Sequence, residues 1–357
     1  MRAGPLATAR LALPFALLAA GAGSVPAVPF ESPGGLVIVR AEARGRDAAR
    51  ARVLHLLLDT GDPGGVTLTA AAARALGLST GPPRPGVARG MNGPATIARR
   101  GARLDSLSLD GVTWHDLPID VVEGARTLPE EPGSAIDGAV GVDLLRDRRL
   151  TIDYPARRLT IASEGAAAKG DADATTASGG PTAPPGDVTV GLRLLEGRLL
   201  TSIRAGGKIF PAWIDTASGR SLIERDAGLE SEAAGVARLV DAVGSERSFP
   251  AIRVTGLAAG GAAIESADLL EVDLARSLTG LLPGGSPAPG AILGADLLSR
   301  YRVVIDPAAG RFILETAPGP SPRPPAPDRA APDAARPPAR RRGSGVRSAG
   351  RRRTGSL

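Results

Sequence analysis

Two aspartates in this 357-residue chain stand in closely similar local sequences. The first lies in Leu58-Asp59-Thr60-Gly61 and the second in Ile214-Asp215-Thr216-Ala217, and each follows a short apolar run. Both aspartates are therefore expected at the end of a buried strand, where a carboxylate is costly unless it is paired or hydrogen-bonded.

If the two turns meet about a pseudo-twofold axis, their carboxylates come too close for both to ionise, and the pair then shares one proton. One carboxylate can then act as general base on a water molecule, while its protonated partner donates to a substrate carbonyl. Thr60 and Thr216 could hold the turns rigid by hydrogen bonds across the interface. Gly61 and Ala217 would keep the backbone close to the two carboxylates.

A second motif also occurs twice, in the same order along the chain. The segment 138–145 (GAVGVDLL) returns as 291–298 (AILGADLL), so Gly141 has its counterpart in Gly294. Each motif is expected to enter a short helix, which Asp143 or Asp296 is placed to cap. Two unrelated motifs that recur in the same order indicate an internal duplication.

Hydrophobic periodicity in both halves is typical of short strands separated by Gly and Asp turns. The strands are expected at 36–39, 53–58, 104–109, 117–122, 199–204, 209–214, 252–257 and 267–272. We therefore predict an all-β fold with a few short helices, built as two lobes at 30–163 and 187–316. The Gly/Ala/Thr/Pro-rich segment 164–186 is expected to be a flexible linker.

These motifs resemble those of the aspartic proteases, and most closely a retropepsin-type lobe duplicated and fused in one chain. The resemblance covers the two predicted lobes. It implies a bilobal acid-protease fold of two β-barrel-like lobes related by a pseudo-twofold axis, with the active site between them. Asp59 and Asp215 are then the catalytic residues, and Gly141 and Gly294 are cleft-loop glycines that pass under the catalytic turns.

The resemblance also implies flaps over the cleft. Positional candidates are Gly90-Met91-Asn92-Gly93 in the first half and Val243-Gly244 in the second. Where the family usually has Ser, Thr or Ala after the glycine, this chain has Asp62, a third carboxylate near the other two. The second turn is closer to the family pattern, and Ser218 is expected to donate its hydroxyl to the Asp215 carboxylate.

Composition restricts the other chemistries open to the chain. It has no cysteine and only two histidines, which removes thiol catalysis and leaves little for a metal site. We therefore expect no cofactor and no metal. The predicted function is an aspartic endopeptidase with a peptide or protein substrate; the alternative is a catalytically impaired peptide-binding or scaffold module with the same fold.

The two chain ends differ from the lobes. Residues 1–22 have the charged start, the apolar run and the small residues of a secretory signal peptide, which predicts a periplasmic or extracellular protein. Residues 317–357 form a Pro/Arg-rich tail with ten Arg and two Asp, so the remaining chain has a net charge of −2. The tail is expected to be disordered and could contact polyanions weakly. Fusion of both lobes in one chain removes the need to dimerise, so a monomer is expected. No later stretch is apolar for long enough to predict a transmembrane anchor.

Overall fold

The computed structural model describes residues 27–46, 50–90, 93–123, 126–127, 135–163, 191–240, 245–278, 282 and 287–316. The predicted signal peptide, linker and tail lie outside the described residues. No helix in the described part of the chain has the length and apolar character needed to cross a membrane.

The described residues of the first lobe form twelve strands, one short α-helix and two 3₁₀ turns. Its strands are β1 (Val28–Glu31), β2 (Ile38–Gly45), β3 (Arg52–Leu58), β4 (Val66–Thr69), β5 (Pro83–Gly90), β6 (Gly93–Leu109), β7 (Val112–Val122), β8 (Arg126–Thr127), β9 (Ala135–Ile136), β10 (Gly138–Val140), β11 (Arg148–Asp153) and β12 (Arg158–Ser163). The helix α1 spans Ala70–Ala75, and the 3₁₀ turns span Pro33–Gly35 and Val142–Leu144.

The part of the second lobe that the structure describes follows a similar scheme with ten strands and two short helices. Its strands are β13 (Arg193–Leu195), β14 (Arg198–Ala205), β15 (Lys208–Ile214), β16 (Leu222–Glu224), β17 (Glu232–Val240), β18 (Glu246–Ala259), β19 (Ala262–Val272), β20 (Ala291–Leu293), β21 (Arg302–Asp306) and β22 (Arg311–Glu315). The helices are α2 (Leu274–Ser277) and α3 (Ala295–Leu298). The predicted all-β, two-lobed fold is confirmed.

The strand that leads to each aspartate is buried among other strands. In the first lobe β3 pairs in parallel with β10, and β10 also pairs with β4. In the second lobe β15 pairs in parallel with β20, which also pairs with β16. Three successive residues at the end of each strand are buried, 56–58 in β3 and 212–214 in β15, so both faces are covered there, which explains the continuous apolar runs before Asp59 and Asp215.

A shared sheet joins the two lobes. Strand β11 pairs antiparallel with β21, with Leu150 opposite Ile305, and β12, β1 and β22 extend the sheet on either side. Leu150 and Ile305 are both almost fully buried and belong to a hydrophobic core that draws on both lobes. The interface between the lobes is therefore held by backbone ladder bonds as well as by apolar packing.

Neither predicted helix cap forms. The backbone of Gly294 occupies the cap position of α3, and no side chain caps that helix or the 3₁₀ turn after Gly141. The Asp143 carboxylate lies against Arg146, and the Asp296 carboxylate binds Ser221 instead. Asp296 is close in space to a residue 75 positions away, and this long-range partner outcompetes the local one.

Candidate active site

The two aspartates lie at equivalent positions, at the ends of β3 and β15. The backbone N–H of Asp59 donates to the Val140 carbonyl at 2.9 Å, and that of Asp215 donates to the Leu293 carbonyl at 3.0 Å. Each of these hydrogen bonds extends a parallel strand pair by one residue. It thereby fixes the backbone position of the aspartate. Asp215 is buried and Asp59 is half-buried.

Each carboxylate is oriented by the turn that follows it. One oxygen of Asp59 accepts hydrogen bonds from the backbone N–H groups of Gly61 (3.1 Å) and Asp62 (3.0 Å). One oxygen of Asp215 accepts in the same way from Ala217 and Ser218, both at 3.0 Å. Two backbone donors to one oxygen hold each carboxylate in a single orientation and leave its second oxygen for other partners.

The predicted role of the Ser218 hydroxyl is wrong. Its Oγ donates to the backbone carbonyl of Arg220 at 2.8 Å, so Ser218 supports Asp215 through its N–H and not through its hydroxyl. Within this turn the Arg220 carbonyl accepts the hydrogen bond that was expected for the Asp215 carboxylate.

Thr60 and Thr216 link the two turns across the lobe interface. The Thr216 hydroxyl donates to the Leu58 carbonyl at 2.6 Å and accepts from the Thr60 N–H at 3.1 Å. The Thr60 hydroxyl donates to the Ile214 carbonyl at 2.9 Å and accepts from the Thr216 N–H at 3.0 Å. Both side chains are almost completely buried. This reciprocal pair fixes the distance between the two turns, as the sequence predicted.

Gly61 brings the first turn directly against the second carboxylate. A Cβ atom placed on Gly61 would lie 2.5 Å from Cγ of Asp215, a separation that no real side chain could adopt. Because Gly61 also donates to Asp59, one backbone residue contacts both carboxyl groups. The structure thus brings Asp59, Asp215 and their predicted supporting residues into one site.

Gly141 and Gly294 pass beneath the two turns. A Cβ atom on Gly141 would lie 2.3 Å from the Gly64 carbonyl oxygen, and one on Gly294 would lie 2.4 Å from the Arg220 carbonyl oxygen. Backbone-to-backbone contacts of this kind leave room for glycine alone. Their position agrees with the expectation from the resemblance.

Replacing Gly294 by alanine is expected to lower the free energy of unfolding by about 1–3 kcal/mol, because the added methyl group must displace backbone atoms. The matched control is Gly219→Ala in the adjacent turn, where a Cβ meets nothing within 4 Å. The control is expected to change stability by less than about 1 kcal/mol. Urea denaturation of both variants measures the difference, and equal stabilities would contradict the packing argument.

Asp62 has its own partner within the first turn. Its Oδ1 accepts from the Gly64 N–H at 2.9 Å, and its backbone carbonyl accepts from the Val142 N–H, also at 2.9 Å. The third carboxylate that the sequence places near the pair is thus bound to its own loop. It helps to shape the turn.

The sequence did not predict a latch that holds the second turn. The Asp296 carboxylate accepts from both the N–H (2.8 Å) and the hydroxyl (2.6 Å) of Ser221, and the same hydroxyl accepts from the Gly294 N–H at 3.0 Å. Burial raises the pKa of the Asp296 carboxyl, although the bonds from Ser221 and the charges of Arg220 and Arg300 act in the opposite direction.

This raised pKa predicts a pH dependence of stability. The folded chain holds the Asp296 proton more tightly than the unfolded chain, so this group lowers the free energy of unfolding as pH rises from about 4 through its raised pKa. Asp296→Asn keeps an acceptor oxygen without the charge and is expected to lose less stability between about pH 4 and pH 7. The control Asp143→Asn, at the exposed counterpart position, is expected to show no such gain. If the free energy of unfolding of Asp296→Asn falls with pH as steeply as that of the wild type, Asp296 is not the source of this pH dependence.

A buried phenol was also missed. Tyr154 packs edge-on against Phe30, with ring centroids 5.8 Å apart. Its burial, together with the negative charge of Asp215, raises the pKa of Tyr154 well above its usual range. Tyr154 therefore stays neutral beside the second aspartate. No pattern in the sequence distinguishes it from an ordinary core tyrosine.

The flap candidates fall on two long hairpins. Gly90 and Gly93 pair at the end of the hairpin formed by β5 and β6, and Met91 and Asn92 between them lie outside the described residues. Val243 and Gly244 lie outside the described residues as well, in the segment between β17 and β18. The two hairpins are equivalent elements of the two lobes.

The described residues contain no group of three or more His, Cys, Asp or Glu side chains placed to hold a metal ion. The site consists instead of two carboxylates on symmetric turns at the junction of two β-lobes. This arrangement defines a site of the aspartyl protease class.

Comparison with known proteins supports this classification. Residues 43–144 match a family model described as aspartyl protease. Over these residues the first lobe is similar to the aspartyl protease family. No curated protein matches the chain.

Solved structures also match the chain over part of its length. One is basic 7S globulin from soybean, with 15% identity over 82% of this chain and 94% of the globulin, and a TM-score of 0.39. Another is a retropepsin-like aspartic protease from Rickettsia conorii, with 18% identity over 38% of this chain and 85% of that protein, and a TM-score of 0.24.

Proposed function

We propose that this protein is an aspartic endopeptidase that hydrolyses peptide bonds with a water molecule activated between Asp59 and Asp215. The observation that carries the proposal is the contact of the Gly61 backbone with the Asp215 carboxylate, while the same residue donates to Asp59. Both carboxyl groups therefore face one small space between the lobes.

The proposed chemistry needs only these two groups and water. Two carboxylates at short range share one proton, because the doubly charged state is strongly disfavoured. The ionised carboxylate takes a proton from water, whose oxygen forms a bond to the peptide carbonyl carbon, and the protonated carboxyl gives its proton to the carbonyl oxygen. The carboxyl that took the water proton then gives it to the nitrogen, and the C–N bond breaks. The other carboxylate takes a proton from a hydroxyl of the intermediate as the carbonyl re-forms, so the amine leaves and the pair again holds one proton. No covalent enzyme intermediate forms.

Two features of the site support this reaction. The hydrogen bonds from the turns orient one oxygen of each carboxylate, so little reorganisation is needed during the reaction. The cross-linked threonines keep the two turns in register, and misplacement of catalytic groups by 1 Å can cost about a hundredfold in rate.

The test is hydrolysis of an unfolded protein mixture by the purified chain between about pH 3 and pH 8, with new amino termini identified by mass spectrometry. The proposal predicts cleavage in a pH window where one of the two carboxyls is protonated. The absence of cleavage by a folded preparation, together with saturable binding of the same peptides, would show a peptide-binding module instead.

We also propose that the protein is exported and acts as a monomer on peptide or protein substrates. Export is supported by the signal-like residues 1–22 of the sequence. The monomer is supported by the supply of both aspartates from one chain, so no second copy is needed to complete the site. The basic tail is proposed as a weak contact for polyanions.

A further inference from the structure

Arg198 reaches from the second lobe to the first catalytic turn. It begins β14, and its Nη1 donates to the backbone carbonyl of Gly61 at 2.8 Å. The guanidinium carbon also lies 4.5 Å from the ring centroid of Trp213, a buried residue two positions before Asp215. Stacking on Trp213 restricts the rotamers of the Arg198 side chain, so its Nη1 is held near the Gly61 carbonyl oxygen.

The hairpin that carries Arg198 touches the same turn a second time. Gly197, at the tip between β13 and β14, has a φ of +76°, and a Cβ atom there would lie 2.7 Å from Cβ of Pro63. This tip therefore packs closely on the residue that follows Asp62. The first catalytic turn is thus contacted by the opposite lobe at both Gly61 and Pro63.

The first turn lacks the latch that holds the second one. The chain duplication places Gly65 at the position of Ser221 and Asp143 at the position of Asp296. Gly65 has no hydroxyl to donate, and the Asp143 carboxylate lies against Arg146. The Gly141 N–H donates to the backbone carbonyl of Gly65 at 2.6 Å, so this loop is held through backbone atoms where the second turn is held through the Ser221 hydroxyl.

We propose that Arg198 is a positioning residue that replaces this missing latch and holds Gly61 in register with both carboxylates. Gly61 donates to Asp59 and abuts Asp215, so a displacement of its carbonyl would disturb both groups. The inference rests on the proposed peptidase function. It adds a contact between the lobes that has no symmetric equivalent, since the strand registers place Leu36 at the counterpart position in the first lobe.

The kinetic test compares Arg198→Met and Arg198→Lys in the full chain with the control Arg193→Met, an exposed arginine of β13. Arg198→Met is expected to lower kcat by about a hundredfold with KM within about twofold, because the turn is misplaced while substrate contacts remain. Arg198→Lys keeps a cationic donor and is expected to recover part of the loss. Arg193→Met should match the wild type. A kcat of Arg198→Met within twofold of wild type, or a loss confined to KM, would overturn the proposal.

A second measurement does not depend on turnover. Hydrogen exchange of the Gly61 and Asp62 amides, resolved by NMR, is expected to accelerate at least about tenfold in Arg198→Met, while the Ala217 and Ser218 amides change by less than twofold. Equal acceleration in both turns would indicate a general structural role, and no acceleration would indicate no role; either result overturns the proposal. If the wild type shows no turnover, the proposed function fails, and the exchange experiment alone decides the role of Arg198.

Discussion

Replacing Asp59 or Asp215 by asparagine is expected to lower kcat/KM for hydrolysis of an unfolded protein by about a thousandfold or more, with the chain still folded. Asparagine keeps the acceptor oxygen that each turn binds through its backbone N–H groups. It removes the proton that the two carboxyls share, and positioned acid–base groups contribute about 10²–10⁴ to rate. Loss of either carboxyl leaves a single group, which cannot act as base and as proton donor in the same step.

The matched control for these variants is Asp62→Asn. Asp62 is an aspartate of the same turn whose Oδ1 accepts from Gly64, a bond that an asparagine oxygen can keep. The control is expected to retain activity within about threefold, because it leaves the two catalytic carboxyls unchanged. Each protein is assayed across the pH range after circular dichroism shows a folded state. Turnover above a tenth of the wild-type value in either catalytic variant would contradict the shared pair.

The second large effect is expected from Thr216→Val, which should lower the free energy of unfolding by about 2–5 kcal/mol. The substitution keeps the shape of the side chain but removes the hydroxyl that donates to Leu58 and accepts from Thr60. A buried carbonyl and a buried N–H then lose their partners, and each such group costs about 1–3 kcal/mol. The turns also lose their fixed spacing, so kcat should fall as well.

Thr201→Val separates the lost hydrogen bonds from the change of residue type. Thr201 is as buried as Thr60, but its hydroxyl has no hydrogen-bond partner in the described part of the chain. Replacing a buried, unpartnered hydroxyl by a methyl group is expected to leave stability unchanged or to raise it slightly. Urea denaturation at one pH measures both variants. A similar loss in the two would show that the threonine bridge contributes nothing specific.

The sequence predicted the centre of the site because the evidence for it is local and present twice. An aspartate that follows a buried strand and precedes Thr and a small residue predicts a tight turn. The duplicated glycine motif predicts the strand that lies beside each turn. Gly141 and Gly294 could be placed under the turns for the same reason. The predicted strands all lie within observed strands, apart from the first, for which the prediction begins at residue 36 and β2 begins at Ile38.

The contacts that the sequence could not predict are those between distant residues of ordinary type. Arg198 and Gly61 are 137 positions apart, and nothing in the sequence distinguishes this arginine from its neighbour Arg193. Asp296 has the sequence context of a helix cap, yet Ser221 offers two donors where the helix would offer weaker ones. The Ser218 hydroxyl likewise donates to the Arg220 carbonyl and not to the Asp215 carboxylate. In each case a tertiary partner outcompeted the local rule.

The sheet shared by the lobes has a consequence for expressing either half alone. A chain ending after β12 would leave β11 as an open edge, with the backbone groups that pair with β21 exposed. A chain beginning at β13 would leave β21 and β22 as a two-stranded ribbon, which is marginally stable in water. Each half therefore depends on the other to complete the shared sheet. Expressed alone, each half exposes an unpaired strand edge that favours aggregation. Two halves produced together can pair these edges and reassemble.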